Sequence, residues 1–244
     1  MVLDDADAVV AAGGEPPSAR VPLTQDRIVA AALAFIDDAG LAGLTMRRLG
    51  DRLGVEAMAL YRHVPGREAL LDLVVDAMVA EMRQDPDVLD EPTNGWQDFL
   101  QRLAHGVRRV ALKHPRAFPL VTSRPPEAPW LRPPLRSLEW VEAFLTGLQE
   151  EGFDDATSVA TYRAFTTFLL GHLLLEAADH GAEIGPLDTL EDGEEPSRGG
   201  LQDYPTVRRL RERLSEDHSV VEFEESLEEL LGRLTLALHE AAAD

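Results

Sequence analysis

The chain has 244 residues, a formal net charge of -21 and no cysteine. This length allows a sizeable hydrophobic core, and the missing cysteines exclude disulfides, thiolate catalysis and cysteine zinc sites. No apolar run approaches the roughly 18 residues that span a bilayer, and the acidic start lacks the basic region of a signal peptide. We therefore expect a cytoplasmic protein.

The charge is distributed unevenly along the chain. Residues 1–20 are small, acidic and rich in Gly and Pro, which predicts a disordered arm. From Arg20 to Arg67, seven arginines stand against five acidic residues, so this stretch has a net charge of +2. The acidic remainder lowers non-specific affinity for DNA, but a local basic face can still bind it.

The first part of the chain has the pattern of short helices separated by turns. Thr24 and Thr45 are N-cap candidates in front of apolar stripes with helical spacing. Gly54 follows the second stripe, at a position where a left-handed residue ends a helix. A third short helix is predicted over residues 57–64 and a longer one over residues 67–82.

The rest of the chain is also predicted to be helical, after an acidic, Pro-containing linker at residues 85–94. The predicted helices lie near residues 95–113, 116–122, 135–151, 155–180, 204–215 and 221–242. Residues 181–203 are acidic and rich in Gly and Pro, which predicts a flexible acidic loop. The predicted fold is all-α, with a three-helix unit (residues 21–67) joined by a connecting helix (68–84) to a larger ligand-binding and dimerisation bundle (85–244).

Two of the predicted helices and the turn between them have the pattern of a helix-turn-helix, whose second helix enters the major groove of DNA. Apolar side chains that would lock the two helices together are Leu49, Leu53, Leu60 and Val64. The residues expected on the opposite face are Ala57, Met58, Tyr61 and Arg62. Tyr61 and His63 can donate to phosphates, and Arg47 and Arg48 lie at the expected groove edge. The alternative is a surface helix hairpin with ordinary charges.

The segment TMRRLGDRLGVEAMALYRHVPGREALLDLVVDAM, with the helix before it, resembles the DNA-binding domain of the tetracycline-repressor (TetR) family of bacterial regulators. The resemblance implies that Arg47 contacts bases and that Thr45 caps its helix and touches the DNA backbone. It further implies a groove-facing triplet, Ala57, Met58 and Ala59, and phosphate contacts from Tyr61, His63 and Arg67. Because the triplet offers no side-chain hydrogen bonds, specificity is expected from Arg47, Arg62, methyl contacts and DNA shape.

The second half, including the run LQEEGF and the long helix FTTFLLGHLLLEAA, resembles the C-terminal half of the tetracycline-repressor branch of this family. It implies a homodimer through a four-helix bundle to which residues 155–180 and 221–242 of each chain contribute. The long helix is apolar on more than one face, which agrees with burial against a partner. A dimer presents two recognition helices, so the operator DNA is expected to be palindromic.

The resemblance also implies a ligand pocket between the helices of the second half. The candidate wall residues are Phe99, Leu103, Leu120, Ser123, Trp130, Trp140, Phe165, Phe168 and His172. For each of them the alternative is an ordinary core position. Leu120 occupies the place of a histidine that helps tetracycline repressor bind drug-chelated magnesium, so we expect a different, more apolar small-molecule effector and no cofactor.

A metal-binding enzyme is one alternative to a regulator. His172, Glu176, Asp179 and His180 fall on one helix face with a spacing that could bind a metal. The chain has no GxSxG, P-loop or GxGxxG motif, so a metal-binding helical enzyme is the weaker alternative, and no metal and no enzymatic activity are predicted. A helix-turn-helix repressor without an effector is the other alternative. The favoured prediction is a two-state homodimeric repressor whose effector moves the helix over residues 67–82.

Overall fold

The computed structural model describes residues 22–88, 92–124, 128, 130–133, 137–183 and 201–241. These residues form α-helices and no strand, which confirms the all-α prediction. The helices are α1 (Gln25–Ala39), α2 (Met46–Leu53), α3 (Ala57–Leu60), α4 (Arg67–Gln84), α5 (Trp96–Lys113), α6 (Pro119–Ser123), α7 (Leu138–Glu150), α8 (Asp155–Asp179), α9 (Pro205–Leu214) and α10 (Ser219–Ala241). The predicted arm at residues 1–20 and residues 184–200 of the predicted acidic loop lie outside the described residues.

Local signals set the ends of the first two helices. The Thr24 hydroxyl accepts a hydrogen bond from the backbone N–H of Arg27 at 3.3 Å, and the Thr45 hydroxyl accepts one from Arg48 at 3.2 Å. Each bond satisfies a backbone donor that has no partner within its helix. Gly54 ends α2 in the left-handed region, with φ at 69° and ψ at 32°, where glycine avoids the steric cost of a Cβ atom.

The third helix is shorter than the predicted range of residues 57–64. Only Ala57–Leu60 is α-helical, and a turn carries the chain on to Val64. In this turn the N–H groups of His63 and Val64 both donate to the carbonyl of Leu60, at 2.9 and 3.0 Å. Val64 precedes Pro65, and the residue before a proline disfavours the α conformation, so the helix ends early.

Helix α4 connects two parts of one continuous core. Leu70 and Val74 in its first half are fully buried, and α4 packs against α1. Met78 and Met82 in its second half are buried where α4 meets α5. Farther along the chain, α8 packs against α5, α7 and α10. The position of α4 therefore depends on packing at both of its ends.

The start of α4 is fixed to the loop between α1 and α2 by the Arg67 side chain. Its Nε donates to the carbonyl of Leu44 at 3.0 Å, and its Nη2 donates to the carbonyl of Leu41 at 3.2 Å. Bonds from a charged donor are among the stronger hydrogen bonds in proteins. The first turn of α4 is thus held against the helix-turn-helix.

Gly50 is the point of closest approach between α2 and the start of α3. A Cβ atom at this position would lie 2.8 Å from the carbonyl oxygen of Val55 and 3.3 Å from the backbone nitrogen of Ala57. Both atoms belong to the main chain, so neither can move aside without shifting α3. A glycine is therefore required here by space rather than by backbone conformation.

We expect Gly50→Ala to lower the free energy of unfolding by about 1–3 kcal/mol, the usual cost of overpacking a dense interior. Chemical denaturation of the purified chain measures this value. Gly66→Ala is the matched control, because its backbone is extended and a Cβ atom there would meet no atom within 4 Å. Equal stabilities of the two variants would contradict the steric role of Gly50.

Candidate DNA-binding surface and effector cavity

The residues predicted to face DNA occupy one short exposed surface, on α2, α3 and the turn after α3. Leu49, Leu60 and Val64 are fully buried between the helices, while Leu53 is only half-buried. On the outer side, Met58 is 71% exposed and Tyr61 is 44% exposed. The other exposed members of the set are Thr45, Arg47, Arg48, Arg62 and His63, whereas Ala57 and Ala59 are half-buried.

Two of the predicted DNA-contacting arginines have acceptors within their own fold. Arg48 donates to the carbonyl of Gly43 at 2.8 Å, and its guanidinium group lies 5.0 Å from the centre of the Phe35 ring. Arg67 donates to two loop carbonyls, as described above. Cation–π contacts and hydrogen bonds of this kind orient the side chain. Sequence spacing gave no signal for these acceptors, because they come from the loop between α1 and α2.

An apolar cavity of about 90 Å³ lies in the second half of the chain, between α4, α5, α6, α7 and α8. Its lining residues are Val79, Met82, Leu103, Val107, Val121, Ser137, Trp140, Phe144, Tyr162, Phe165, Thr166, Leu169 and Leu170. None of them carries a formal charge. The cavity therefore suits an uncharged, largely apolar molecule.

Only some of the predicted wall residues line this cavity. Leu103, Trp140 and Phe165 do. Phe99 and Leu120 are buried without lining it, and Ser123 and Trp130 are exposed, Trp130 by 76%. Phe168 and His172 instead pack around Phe223 of α10, with ring centres 6.0 and 5.2 Å from it.

Sequence reasoning missed Val79 and Met82 on α4, and Phe144 and Tyr162 on α7 and α8, as lining residues. The available signal was the apolar stripe of each helix, which shows that a residue is buried but not which neighbour it meets. The lining depends on how five helices cross, and periodicity within one helix does not contain that information.

The few polar groups of the cavity differ in whether they have partners. The Ser137 hydroxyl accepts from the backbone N–H of Trp140 at 3.4 Å, and the Tyr162 hydroxyl donates to the carbonyl of Pro133 at 2.9 Å. Burial raises the pKa of Tyr162 to about 12, so the phenol stays neutral. The indole Nε1 of Trp140 is buried and has no hydrogen-bond acceptor.

The side chains considered as an alternative metal site, His172, Glu176, Asp179 and His180, have separate surroundings and do not form one site. Glu176 is buried and paired with Arg108, whose Nε donates to its Oε2 at 3.0 Å and whose Nη2 donates to its Oε1. His172 packs on Phe223, while Asp179 and His180 are exposed. Within the described ranges, no group of three or more His, Cys, Asp or Glu side chains is arranged to hold a metal ion.

A helix-turn-helix with an exposed outer face, joined by one helix to a bundle with an apolar cavity, defines a ligand-responsive DNA-binding regulator. Residues 28–74 match the family model for bacterial regulatory proteins of the tetR family, and residues 89–234 match the one for the tetracycline-repressor-like C-terminal domain. The chain belongs to the tetracycline-repressor (TetR) family of transcriptional regulators, as its sequence pattern predicted.

Relatives of the chain agree with this membership. A regulator described as an HTH-type transcriptional regulator of Saccharopolyspora erythraea is 33% identical over 76% of this chain and 73% of its own length. The class E tetracycline repressor protein of Escherichia coli is 31% identical over 66% of this chain and 72% of its own. The relatives are transcriptional regulators rather than enzymes.

Solved structures show the same architecture. TetR from Acinetobacter baumannii AYE superposes with a TM-score of 0.67 at 25% identity, over 88% of this chain and 98% of that one. The TetR-family protein ActR of Streptomyces coelicolor, in complex with actinorhodin, gives a TM-score of 0.64 at 25% identity, over 89% and 99%. The C-terminal domain of the family binds ligands.

In the part of the chain that the structure describes, none of the helices is both long enough and apolar enough to cross a membrane.

A polar junction, formed by Asp37 of α1, Glu81 of α4, and His114 and Arg116 after α5, connects the two halves. The buried His114 ring has its Nδ1 2.7 Å from Asp37 Oδ2 and its Nε2 3.3 Å from Glu81 Oε2. Arg116 donates to the carbonyls of Asp37 and Asp38 at 3.2 and 2.8 Å. The end of α1 is thus bound directly to the effector-binding half.

Protonation of His114 strengthens this junction. Hydrogen bonding to Asp37 raises the pKa of His114 above its ordinary value of 6.5, against the opposing effect of burial, and the charge of Glu81 adds to the rise. A raised folded-state pKa stabilises the fold fully below the unfolded-state pKa, and this stabilisation is lost as pH rises through the folded-state value.

We therefore expect His114→Gln to destabilise the chain more at about pH 5.5 than at about pH 9, the two sides of this titration. Urea unfolding of both proteins at each pH gives the difference. His239→Gln, which changes an exposed histidine of α10, is the control for the substitution itself. A cost of His114→Gln that is the same at both pH values would exclude the protonated junction.

Proposed function

We propose that this regulator is a homodimeric repressor that binds a palindromic operator and is released by a small apolar effector. The observation that carries the proposal is the path of α4. This helix lines the apolar cavity with Val79 and Met82. Its first residue, Arg67, donates hydrogen bonds to the loop between α1 and α2, which precedes the helix-turn-helix. A molecule that enters the cavity therefore meets the helix that positions the DNA-binding surface.

The proposed DNA contacts divide into two groups. Tyr61 and His63 donate to phosphates, while Arg47 and Arg62 reach base edges or the groove margin; all four side chains are exposed. The exposed Met58 contacts thymine methyl groups, with Ala57 and Ala59 behind it. We propose that Arg48 and Arg67 mainly stabilise the fold of the helix-turn-helix, because their guanidinium groups already donate to backbone carbonyls. Thr45 caps α2 by accepting from the backbone N–H of Arg48.

The proposed dimer forms through α8 and α10. These helices pack on each other and still leave large apolar side chains in water, with Leu175 of α8 65% exposed and Leu236 of α10 63% exposed. A Cβ atom placed on Gly171 of α8 or Gly232 of α10 would meet no other atom within 4 Å. Open apolar faces with small residues allow close approach by the same two helices of a second chain.

The proposed release follows from the size of the cavity. About 90 Å³ is well below the roughly 300–1,000 Å³ of most ligand pockets, so a drug-sized effector has to push the walls apart. Val121 of α6 is one of these walls, and Arg124 just after α6 donates to Glu68 and Asp72 of α4 at 2.6 and 2.9 Å. Displacement of α6 is thus passed to the first turns of α4. The effector must bind the displaced form more tightly than the DNA-bound form.

Removing one hydroxyl group tests the DNA-binding surface. We expect Tyr61→Phe to weaken binding to an operator fragment, selected in vitro with the wild-type chain, by about tenfold or more, because each dimer loses two hydrogen bonds to phosphate. Gel-shift titration measures the affinity. Tyr204→Phe is the matched control, since Tyr204 is similarly exposed, at 52%, just before α9. Unchanged affinity of Tyr61→Phe would remove Tyr61 from the interface.

A charge on the open face of α8 tests the dimer. We expect Leu175→Arg to sediment as a monomer at micromolar concentration, because a two-fold interface would bury the new charge twice, at several kcal/mol for each ion. Analytical ultracentrifugation gives the mass. Met58→Arg, which changes a similarly exposed residue on the proposed DNA-binding surface, should remain a dimer. A wild-type monomer, or a dimeric Leu175→Arg variant, would contradict the proposed α8–α10 interface.

A further inference from the structure

One residue that lines the cavity, Trp140, has a polar group whose lack of a partner is informative, its indole N–H. Trp140 lines the cavity, and its Nε1 is buried without a hydrogen-bond acceptor. A buried donor without an acceptor is costly, and native proteins rarely leave one. An acceptor that arrives with a ligand would remove that cost.

Three of the described lining side chains carry a hydroxyl group: Ser137, Tyr162 and Thr166. The Tyr162 hydroxyl already donates to Pro133, and the Ser137 oxygen accepts from the backbone N–H of Trp140. Among the described lining residues, Trp140 is the one with a buried side-chain donor that has no hydrogen-bond partner. The remaining buried side-chain atoms without a partner among the described residues are Asp37 Oδ1, Ser158 Oγ and Thr161 Oγ1. None of these three residues lines the cavity.

The rest of the lining limits the kind of molecule that can bring the acceptor. Among the described residues of the lining, no side chain is charged and four are aromatic: Trp140, Phe144, Tyr162 and Phe165. An ionised ligand would lose its hydration without gaining a counter-charge. Aromatic rings in the wall favour a flat ring in the ligand, through edge and offset contacts.

On this basis, and resting on the proposed effector function of the cavity, we propose that the effector is a neutral aromatic molecule with a carbonyl oxygen, and that Trp140 Nε1 donates to this oxygen. Trp140 is then the residue that separates carbonyl compounds from hydrocarbons of the same shape. The remaining lining residues provide apolar contact that both kinds of molecule share.

Two probes of matched shape isolate the proposed hydrogen bond, acetophenone with a carbonyl and ethylbenzene without one. Their dissociation constants are measured by calorimetric titration of the full chain and of Trp140→Phe. The smaller ring of phenylalanine alters packing for both probes, whereas the lost N–H affects acetophenone alone. We expect Trp140→Phe to weaken acetophenone binding by about tenfold more than ethylbenzene binding, the usual effect of leaving one buried acceptor unpaired.

Trp130→Phe is the matched control, because Trp130 is exposed and does not line the cavity. It should leave both dissociation constants unchanged. Equal weakening of both probes in Trp140→Phe would overturn the assignment of Trp140 while leaving the cavity as the effector site. Failure of both probes to bind the wild-type chain would instead contradict the effector site itself, and with it both proposals.

An NMR measurement on the wild-type chain covers the case in which Trp140→Phe does not fold. The chain has three tryptophans, so its spectrum contains three indole N–H signals. Acetophenone should move the Trp140 indole proton signal downfield, as expected for a new hydrogen bond, and ethylbenzene should not. Identical responses to the two probes would overturn the proposal.

Discussion

The burial of α4 at both of its ends is the constraint on which the rest of this structure depends. The 18 residues of α4 extend over about 27 Å at 1.5 Å per residue. Leu70 and Val74 are fully buried in the first half, and Met78 and Met82 are buried in the second. Because packed interiors resist small displacements, α4 cannot shift at one end without a response at the other. A single helix therefore belongs to the DNA-binding unit and to the wall of the cavity.

Polar contacts join α4 and α1 to their neighbours at specific points. Arg67 holds the first turn of α4 against the loop after α1, and Arg124 ties the same region to α6. His114 and Arg116 fix the end of α1 to the effector-binding half, and His114 also contacts Glu81 near the other end of α4. The helix-turn-helix is thus attached at α1 and at α4. If α4 moved relative to α1, the helix-turn-helix would rotate rather than shift as a whole.

The use of arginines inside the fold also changes how this acidic protein can bind DNA. Arg48 is exposed but, like the half-buried Arg67, it is bonded to a carbonyl, so we assign the charged contacts with DNA to the exposed Arg47 and Arg62, with His63 beside them. In the proposed dimer, each subunit would then neutralise few phosphate charges, and a net charge of -21 opposes loose association. Binding by such a dimer would depend on the spacing of its two DNA-binding units more than on general electrostatic attraction, so a change in this spacing would control it.

The features that the sequence predicted well depend on residues close together in the chain. The caps at Thr24 and Thr45, the left-handed Gly54 and the buried pair Leu49 and Leu60 each depend on residues a few positions away. The acceptors of Arg67, the tight contact at Gly50 and the cavity lining by Val79 depend on where distant segments cross, and no periodicity encodes that. Trp130 illustrates the same limit, because a large aromatic residue in a Pro-rich segment was expected in a wall and is exposed.

The cavity combines small size with an unpaired donor, and the two properties act together. A molecule large enough to be specific must widen the cavity, which costs packing energy in α4 and α6. A hydrogen bond to Trp140 Nε1 would be gained only in the occupied form, because the empty form leaves that N–H without an acceptor. Such a gain is the differential interaction that a switch between two states needs. Hydrocarbons of equal shape would meet the same cost without this gain, so the unpaired indole would make the proposed switch selective for the chemistry of its effector.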